Sequence, residues 1–313
     1  MTYTIDSKPL WQPNPAHAAA TKMGALMRDT GHASYADLWQ WSVDQPEAFW
    51  SKIWDFCGAV GEKGSVVLED GQKMPGARWF PQARLNYAEN LLQARDAGDA
   101  LVFWGEDKVK RRMSRAELYS EVARFQQFLI ATGVGEGDRV AGYLPNLPET
   151  LVAMLATVSL GAIWSSASPD FGVQGVLDRF GQIEPKVLIC VDGYWYNGKA
   201  VDCLEKNAAI VAQMPSLLKT VVVPYLAATP EVSKIANAVH WHEIVAVDGQ
   251  KDVIFQRVGF NHPLFIMFSS GTTGVPKCIV HCHGGVLLQH LKEHQLHSDV
   301  RPGDRLFYFT TCG

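Results

Sequence analysis

No apolar run in these 313 residues is long enough to cross a bilayer. The longest, around residues 151–163, is broken by Thr157 and Ser159 and falls short of the roughly 20 residues that a spanning helix needs. The start, Met1-Thr-Tyr-Thr-Ile-Asp6, has neither the basic nor the apolar stretch of a secretory leader. A membrane is therefore not expected as a partner. Basic charge is also in short supply: 28 Lys and Arg against 32 Asp and Glu leave a formal charge of −4. The one basic run, Lys108-Val-Lys-Arg-Arg112, reads as the solvated end of a hairpin, so nucleic acid is not expected either. Cysteine is sparse and scattered, at 57, 190, 203, 278, 282 and 312. That excludes a disulfide-framed secreted scaffold and predicts a reduced, cytoplasmic protein, with Cys190 acting as a small buried hydrophobe. Internal repeats and low-complexity tracts are missing as well.

What is present is an ordinary globular composition, 47% hydrophobic and 19% charged, in a chain long enough to bury the core of one large domain or two. Composition places a boundary near residue 95. The stretch 1–95 carries six of the ten tryptophans, at 11, 39, 41, 50, 54 and 79. Leu38, Trp41, Phe49, Ile53, Trp54 and Phe56 recur at helical spacing there, Ser34-Tyr-Ala-Asp37 opens a helix, and Pro46 splits the run in two. Such an aromatic stripe is read as core.

Beyond residue 95, strand and helix patterns alternate. Strands are predicted at 100–104, 139–144, 162–166, 187–191 and 220–223, with helices at 115–131, 148–160, 172–181 and 200–213 between them. The first of these helices is opened by a capping box, Ser114-Arg-Ala-Glu117. The alternation predicts an α/β fold, mostly parallel sheet flanked by helices. Residues 193–198 and 224–239 are expected to be surface excursions.

The most informative stretch is Phe265-Ile-Met-Phe-Ser-Ser-Gly-Thr-Thr-Gly-Val-Pro-Lys277. An apolar strand runs into a loop of small and hydroxyl residues closed by Pro276 and Lys277. Phosphate sites of parallel sheets lie at such carboxyl ends. Glycines let the backbone approach closely, while loop N–H groups, hydroxyls and a lysine donate to anionic oxygens. The common P-loop is excluded, because it needs Lys directly after the second Gly with a hydroxyl following. Here Val275 and Pro276 intervene and Cys278 follows.

The loop resembles the signature S-[ST]-G-[ST]-T-G-x-P-K of the adenylate-forming enzymes, which include acyl- and aryl-CoA synthetases, firefly luciferase and peptide-synthetase adenylation domains. Many members have Gly where this chain has Cys278. The resemblance extends along nearly the whole chain. Trp79-Phe-Pro81, Leu85-Asn-Tyr-Ala-Glu-Asn90, Gly142-Tyr-Leu-Pro-Asn146, Gly161-Ala-Ile-Trp-Ser-Ser-Ala-Ser-Pro169 and Pro185-Lys-Val-Leu-Ile189 are similar to the acetyl-CoA synthetase branch. Within that branch, Asp192-Gly-Tyr-Trp-Tyr-Asn-Gly-Lys199 and Leu288-Gln-His-Leu-Lys-Glu-His294 are similar to the members that take acetoacetate.

The resemblance implies the N-terminal large domain of an adenylate-forming enzyme, with 1–95 a helical, Trp-rich N-terminal segment and 96–313 the first part of the AMP-binding α/β domain. It implies ATP, Mg2+ and CoA as the cofactor and co-substrates and acetoacetate as the acid, with acetate or propionate as alternatives. The two half-reactions are acyl-adenylate formation with release of pyrophosphate, then transfer to the CoA thiol. Ser269, Ser270, Gly271, Thr272, Thr273, Gly274 and Lys277 are implied as the ATP-phosphate grip. Lys277, Thr272 and Thr273 are implied in catalysis, through charge stabilisation on the leaving pyrophosphate. Where the branch carries arginines for the CoA 3′-phosphate this segment is aromatic, and Lys199 is the matching cation. The chain stops within a family motif, at Tyr308-Phe-Thr-Thr-Cys-Gly313. The expectation is accordingly the N-terminal half of a longer synthetase, inactive alone, with the Mg2+ ligands further on; no metal ligand is assigned within it. Two other classes stand beside this one. A non-catalytic binding module could use half a synthetase fold, or a zinc hydrolase could use His290-x-x-Glu-His294 with Cys278, His281, Cys282 and His283 nearby. Against the latter reading, the helix is expected to start directly from the phosphate loop, and one short helix cannot easily serve both sites.

Overall fold

The computed structural model describes residues 11–246, 252–269 and 274–312. They form two compact units, one made of the residues up to Ala59 with Leu287–Tyr308, the other of Val60–Val286 with the last residues from Phe309.

The smaller unit is helical. Its first part holds α1 (Pro15–Ala20), α2 (Lys22–Thr30), α3 (Tyr35–Asp44) and α4 (Pro46–Phe56). Ser34 caps α3 through a box with Asp37. Pro46, which has no N–H to give, takes the first position of α4, where none is needed. Leu26, Leu38, Ile53, Cys57 and Leu296 form its core, with Trp41, Phe49 and Trp50 packed against them.

The larger unit begins with short strands β1 (Gly61–Glu62), β2 (Leu68–Glu69), β3 (Arg78–Trp79) and β4 (Arg84–Leu85), followed by α5 (Tyr87–Leu91). Asn86 caps α5, and its amide donates to the carbonyls of Val158, Ser159 and Gln256 at 3.0, 3.1 and 2.8 Å. The Leu85–Asn90 motif is thus a buried clamp between distant segments. Next come the antiparallel hairpin β5 (Asp99–Gly105) and β6 (Val109–Ser114), then α6 (Arg115–Ala131), β7 (Arg139–Tyr143), α7 (Pro148–Ser159), β8 (Ile163–Ala167), α8 (Val173–Phe180) and β9 (Val187–Val191). The basic run 108–112 does lie in this hairpin, and the box of Ser114 with Glu117 does cap α6.

After β9 the hairpin β10 (Gly193–Tyr196) and β11 (Lys199–Asp202) leads to α9 (Leu204–Val211), β12 (Lys219–Val223), β13 (Ala238–His240) and α10 (Trp241–Val245). The helix expected from residue 200 therefore begins only at Leu204, because residues 199–202 are drawn into the hairpin with residues 193–196. Strands β14 (Val258–Gly259), β15 (Pro263–Phe268) and β16 (Cys278–Cys282) precede α11 (His283–Lys292), whose chain continues into the smaller unit from Leu287.

The central sheet has seven strands in the order β13-β12-β9-β7-β8-β15-β16. All neighbours are parallel except the last pair, β15 and β16. Ala141, Tyr143, Leu188, Cys190, Val222 and Ile266 project from it into a core shared with residues of α8 and α9 such as Val176, Phe180 and Ile210. Among the described residues no helix is long and apolar enough to cross a membrane, and all six cysteines are free thiols.

Candidate functional site

The Ser269–Lys277 loop leaves the carboxyl end of β15, where a parallel sheet collects its ligands. Strand β15 is held by β8 at the pair Phe265–Trp164 and by β16 along Phe265–His281, Ile266–Val280, Met267–Ile279 and Phe268–Cys278. The chain therefore turns back as an edge strand after the loop. The helix expected to start from the loop starts one strand later, at His283. Residues Cys278–Cys282 are instead strand, because their backbone groups pair with β15.

The two ends of the loop close on each other. The Ser269 N–H donates to the Lys277 carbonyl at 3.1 Å, and the Lys277 N–H donates back to the Ser269 hydroxyl oxygen at 3.1 Å. Gly274 has φ +112°, a conformation that side-chain-bearing residues rarely adopt. The outgoing limb is braced by Gln182, whose amide donates to the Pro276 carbonyl at 2.9 Å and to the Asp178 carbonyl at 2.6 Å. From the inner side, Phe268 meets the Phe180 ring at 6.4 Å. Ser270, Gly271, Thr272 and Thr273 lie outside the described residues. Lys277 is exposed, and no carboxylate of the described residues pairs with it.

The loop thus has a closed neck, a glycine turn and an unneutralised lysine, features that suit a polyanion. The Ser269 hydroxyl oxygen accepts at the neck.

Beside the loop, a cavity of about 450 Å³ opens on one face of β8 and β15, within the range of small-molecule sites. Phe103, Leu151, Met154, Trp164, Phe265 and Met267 supply its apolar wall, with Ser166 and Thr150 as polar points. Gly142 admits the Trp164 indole, because a Cβ there would stand 2.6–2.7 Å from the ring. Ser165, on the opposite face of β8, donates its buried hydroxyl to the Ile266 carbonyl at 2.7 Å and pins β15.

Lys199 opens β11 and is exposed. No hydrogen bond or ion pair among the described residues connects it with Ser269, Gly274 or Lys277. Its hairpin is fastened elsewhere: the Tyr194 hydroxyl donates to Asp170 at 2.6 Å, the Gly198 N–H donates to Glu106 at 2.9 Å, and the Lys108 ammonium lies 5.4 Å from the Trp195 ring centre. At the base of the hairpin the buried Asp192 carboxylate accepts from the N–H groups of Tyr225 at 2.8 Å, Leu226 at 3.0 Å and Ala227 at 2.8 Å. Ser165, Gln182 and Asp192 were not singled out as working residues in the sequence. Asp192 alone carried a signal, as a carboxylate followed by glycine at the end of the apolar run 187–191.

The histidines after the loop diverge. His281 is exposed on β16. His283 is fully buried, and its Nδ1 accepts from the Tyr87 N–H at 3.4 Å. Burial pushes the His283 imidazolium down to about 3, with His262 beside it acting in the same direction. The rings of His290 and His294 are 6.0 Å apart, and Glu293 is tied to Lys292 at 2.5 Å. Among the described residues no three His, Cys, Asp or Glu side chains gather as a metal site.

Comparison with known proteins adds to this geometry. The family model of the AMP-binding enzymes matches residues 92–313, and that of the acetyl-coenzyme A synthetase N-terminus matches residues 35–91. An acetoacetyl-coenzyme A synthetase of Rhizobium meliloti is 50% identical over 98% of the chain and 48% of its own length. The malonamoyl-CoA synthetase vrtB of Penicillium aethiopicum is 40% identical over 89% of the chain and 40% of its own. Among solved structures, the acetoacetyl-CoA synthetase from Streptomyces lividans superposes with a TM-score of 0.91 at 39% identity, over 98% of this chain and 48% of that one. The chain thus spans about half the length of the relatives it matches.

Proposed function

The chain belongs to the AMP-binding enzyme family, and from that premise we propose that it carries the ATP-phosphate grip of an AMP-forming acyl-CoA synthetase whose acid is acetoacetate. The observation that carries this reading is the 50% identity, across 98% of the chain, with a protein named for that activity. On this reading residues 1–95 are the N-terminal segment of the acetyl-CoA synthetase type, and 96–313 are the first part of the catalytic α/β domain. The overall chemistry is carboxylate plus ATP giving acyl-adenylate and pyrophosphate, then CoA thiol plus acyl-adenylate giving thioester and AMP.

In the first step, bond making and breaking at the α-phosphorus depend on alignment and on neutralising the leaving group's charge. Lys277 and the loop donors Ser269, Ser270, Thr272 and Thr273 act on that charge, while Gly271 and Gly274 give the backbone the room to do so. The closed neck at Ser269 and Lys277 supports this role, because it fixes both loop ends before any ligand arrives. Lys199 is the cation for the CoA 3′-phosphate. ATP would come as its Mg2+ complex, and no residue of this chain is assigned to the metal.

The fungal relative narrows the acid. Malonamate and acetoacetate share a carboxylate and a carbonyl at the third carbon, and differ by an amide nitrogen in place of a methyl group. A short acid with a carbonyl at that position is therefore the class we assign, ahead of acetate and propionate.

Two measurements test the reading. The 313-residue protein should bind ATP in calorimetry, and Lys277→Ala should weaken that binding at least tenfold. No ATP binding, or an unaffected variant, overturns the phosphate assignment. In a protein of the relatives' length that carries this chain, acetoacetate should release pyrophosphate at least tenfold faster than equal acetate or propionate. Equal rates would remove the acid assignment and leave the phosphate grip standing.

A further inference from the structure

On the strand side, the Lys277 backbone is held through both of its polar groups. Its N–H donates to the Ser269 hydroxyl oxygen and its carbonyl accepts from the Ser269 N–H, each at 3.1 Å. Pro276, just before it, has a fixed φ and no N–H to give. The Pro276 carbonyl and the Cys278 thiol remain to be held from elsewhere, and one side chain reaches both.

That side chain is Gln182, two residues past the end of α8. Its backbone N–H donates to the Arg179 carbonyl at 3.1 Å and so is tied to the last turn of the helix. Its amide nitrogen donates to the Asp178 carbonyl at 2.6 Å and to the Pro276 carbonyl at 2.9 Å. Its amide oxygen accepts from the Cys278 thiol at 3.7 Å. A glutamine amide offers two N–H donors and one carbonyl. Both donors are therefore in use, and the oxygen has a partner as well. Turned over, the amide would set its oxygen against two backbone carbonyls, so its direction is decided. Although Gln182 is exposed, it is anchored at both ends. The two residues it holds across the gap are the immediate neighbours of Lys277.

We propose that Gln182 is the positioning residue of Lys277. Ser269 fixes the lysine backbone from the strand, and Gln182 fixes it from the helix through Pro276 and Cys278. What stays free is the lysine side chain itself. A lysine loses much rotamer freedom when it grips an anion, and a backbone fixed beforehand lowers the remaining cost of binding. Gln182 meets no phosphate and acts only through Lys277. This role rests on the phosphate reading of the loop.

The test is a double-mutant cycle, read by calorimetry with ATP and with inorganic tripolyphosphate on the 313-residue protein. Gln182→Met keeps the length of the arm and removes its side-chain hydrogen bonds. It should weaken both ligands by about three- to tenfold, the scale of one or two net hydrogen bonds. Gln182→Asn keeps the amide but shortens the arm by one methylene, and should match it. In a Lys277→Ala background either change should cost less than twofold, because the residue being positioned is gone. The Lys277 amide should also exchange faster with solvent in Gln182→Met, while the β8 amides keep their rates. Unweakened binding in Gln182→Met, or the same loss with and without Lys277, would overturn the positioning role and leave the phosphate grip standing. Undiminished ATP binding in Lys277→Ala would instead remove the phosphate reading, and this role with it.

Discussion

Strand β15 meets β8 at the pair Phe265–Trp164, and the carbonyl of Ile266 one residue on takes its hydrogen bond from the Ser165 side chain. A buried carbonyl left without a donor costs about 1–3 kcal/mol. Ser165→Ala should therefore lower the thermal midpoint of the larger unit by several degrees, with no loop residue touched. The measurement is a melt followed by hydrogen exchange of the β8 and β15 amides, which should exchange faster in the variant. An unchanged midpoint would show that another donor takes the carbonyl. The same residues mark a limit of sequence reading. The run Gly161–Pro169 was recognised by resemblance, but nothing in its pattern says that one serine reaches across to Ile266, 101 residues away. Asn86 is a similar case: its helix-capping position is local and readable, while its bonds to Val158, Ser159 and Gln256 depend on the folded arrangement.

At the scale of elements, the loop is a hairpin connection whose neck is sealed by Ser269 and Lys277. Gly274 stands at φ +112°, and no described residue lies within 4 Å of where a Cβ would be. Alanine there meets no clash with the described residues, so the cost argued is backbone strain, roughly 1–3 kcal/mol. If the loop must hold this conformation to grip phosphate, Gly274→Ala should weaken ATP binding by roughly five- to hundredfold, whereas Val275→Ala, at an exposed neighbour, should leave it unchanged. Calorimetry on both variants decides; equal affinities would show that the observed turn is not the binding conformation. Strong local signals made much of this level legible. The capping pairs Ser34–Asp37 and Ser114–Glu117 and the break at Pro46 fall where the sequence placed them, because each is settled within four residues. The two misplacements share a cause. Residues 200–202 and 278–282 were assigned by their neighbours in sequence, but each became strand by pairing with a partner that no local pattern announces.

For the larger unit as a whole, acid should be felt earlier than its carboxylates alone would allow. His283 is enclosed by the fold and held neutral, its pKa pushed from 6.5 down to about 3 by burial. In the unfolded chain the same imidazole takes up a proton near pH 6.5. The unfolded state then binds more protons than the folded one, so stability rises with pH across this range. The contribution is fully present above pH 6.5 and is lost progressively as pH falls toward 3. Asp96, Glu117 and Glu231 are also lowered in the folded protein, chiefly by hydrogen bonds from backbone N–H groups, but their losses begin only near the ordinary carboxylate range, about pH 4. Glu121 is raised by burial, with Glu149 acting in the same direction, and so contributes with the opposite sign. The histidine is isolated by comparing the protein with a His283 variant between pH 7 and pH 5. There, each pH unit below 6.5 should remove about 1.4 kcal/mol at most. His283→Gln keeps an acceptor for the Tyr87 N–H and removes the titration, so its urea midpoint should start lower at pH 7 yet change much less by pH 5. The β8 amides, followed by hydrogen exchange at the two pH values, report the unit in question. Parallel pH slopes in the two proteins would mean that His283 is not the group that senses acid.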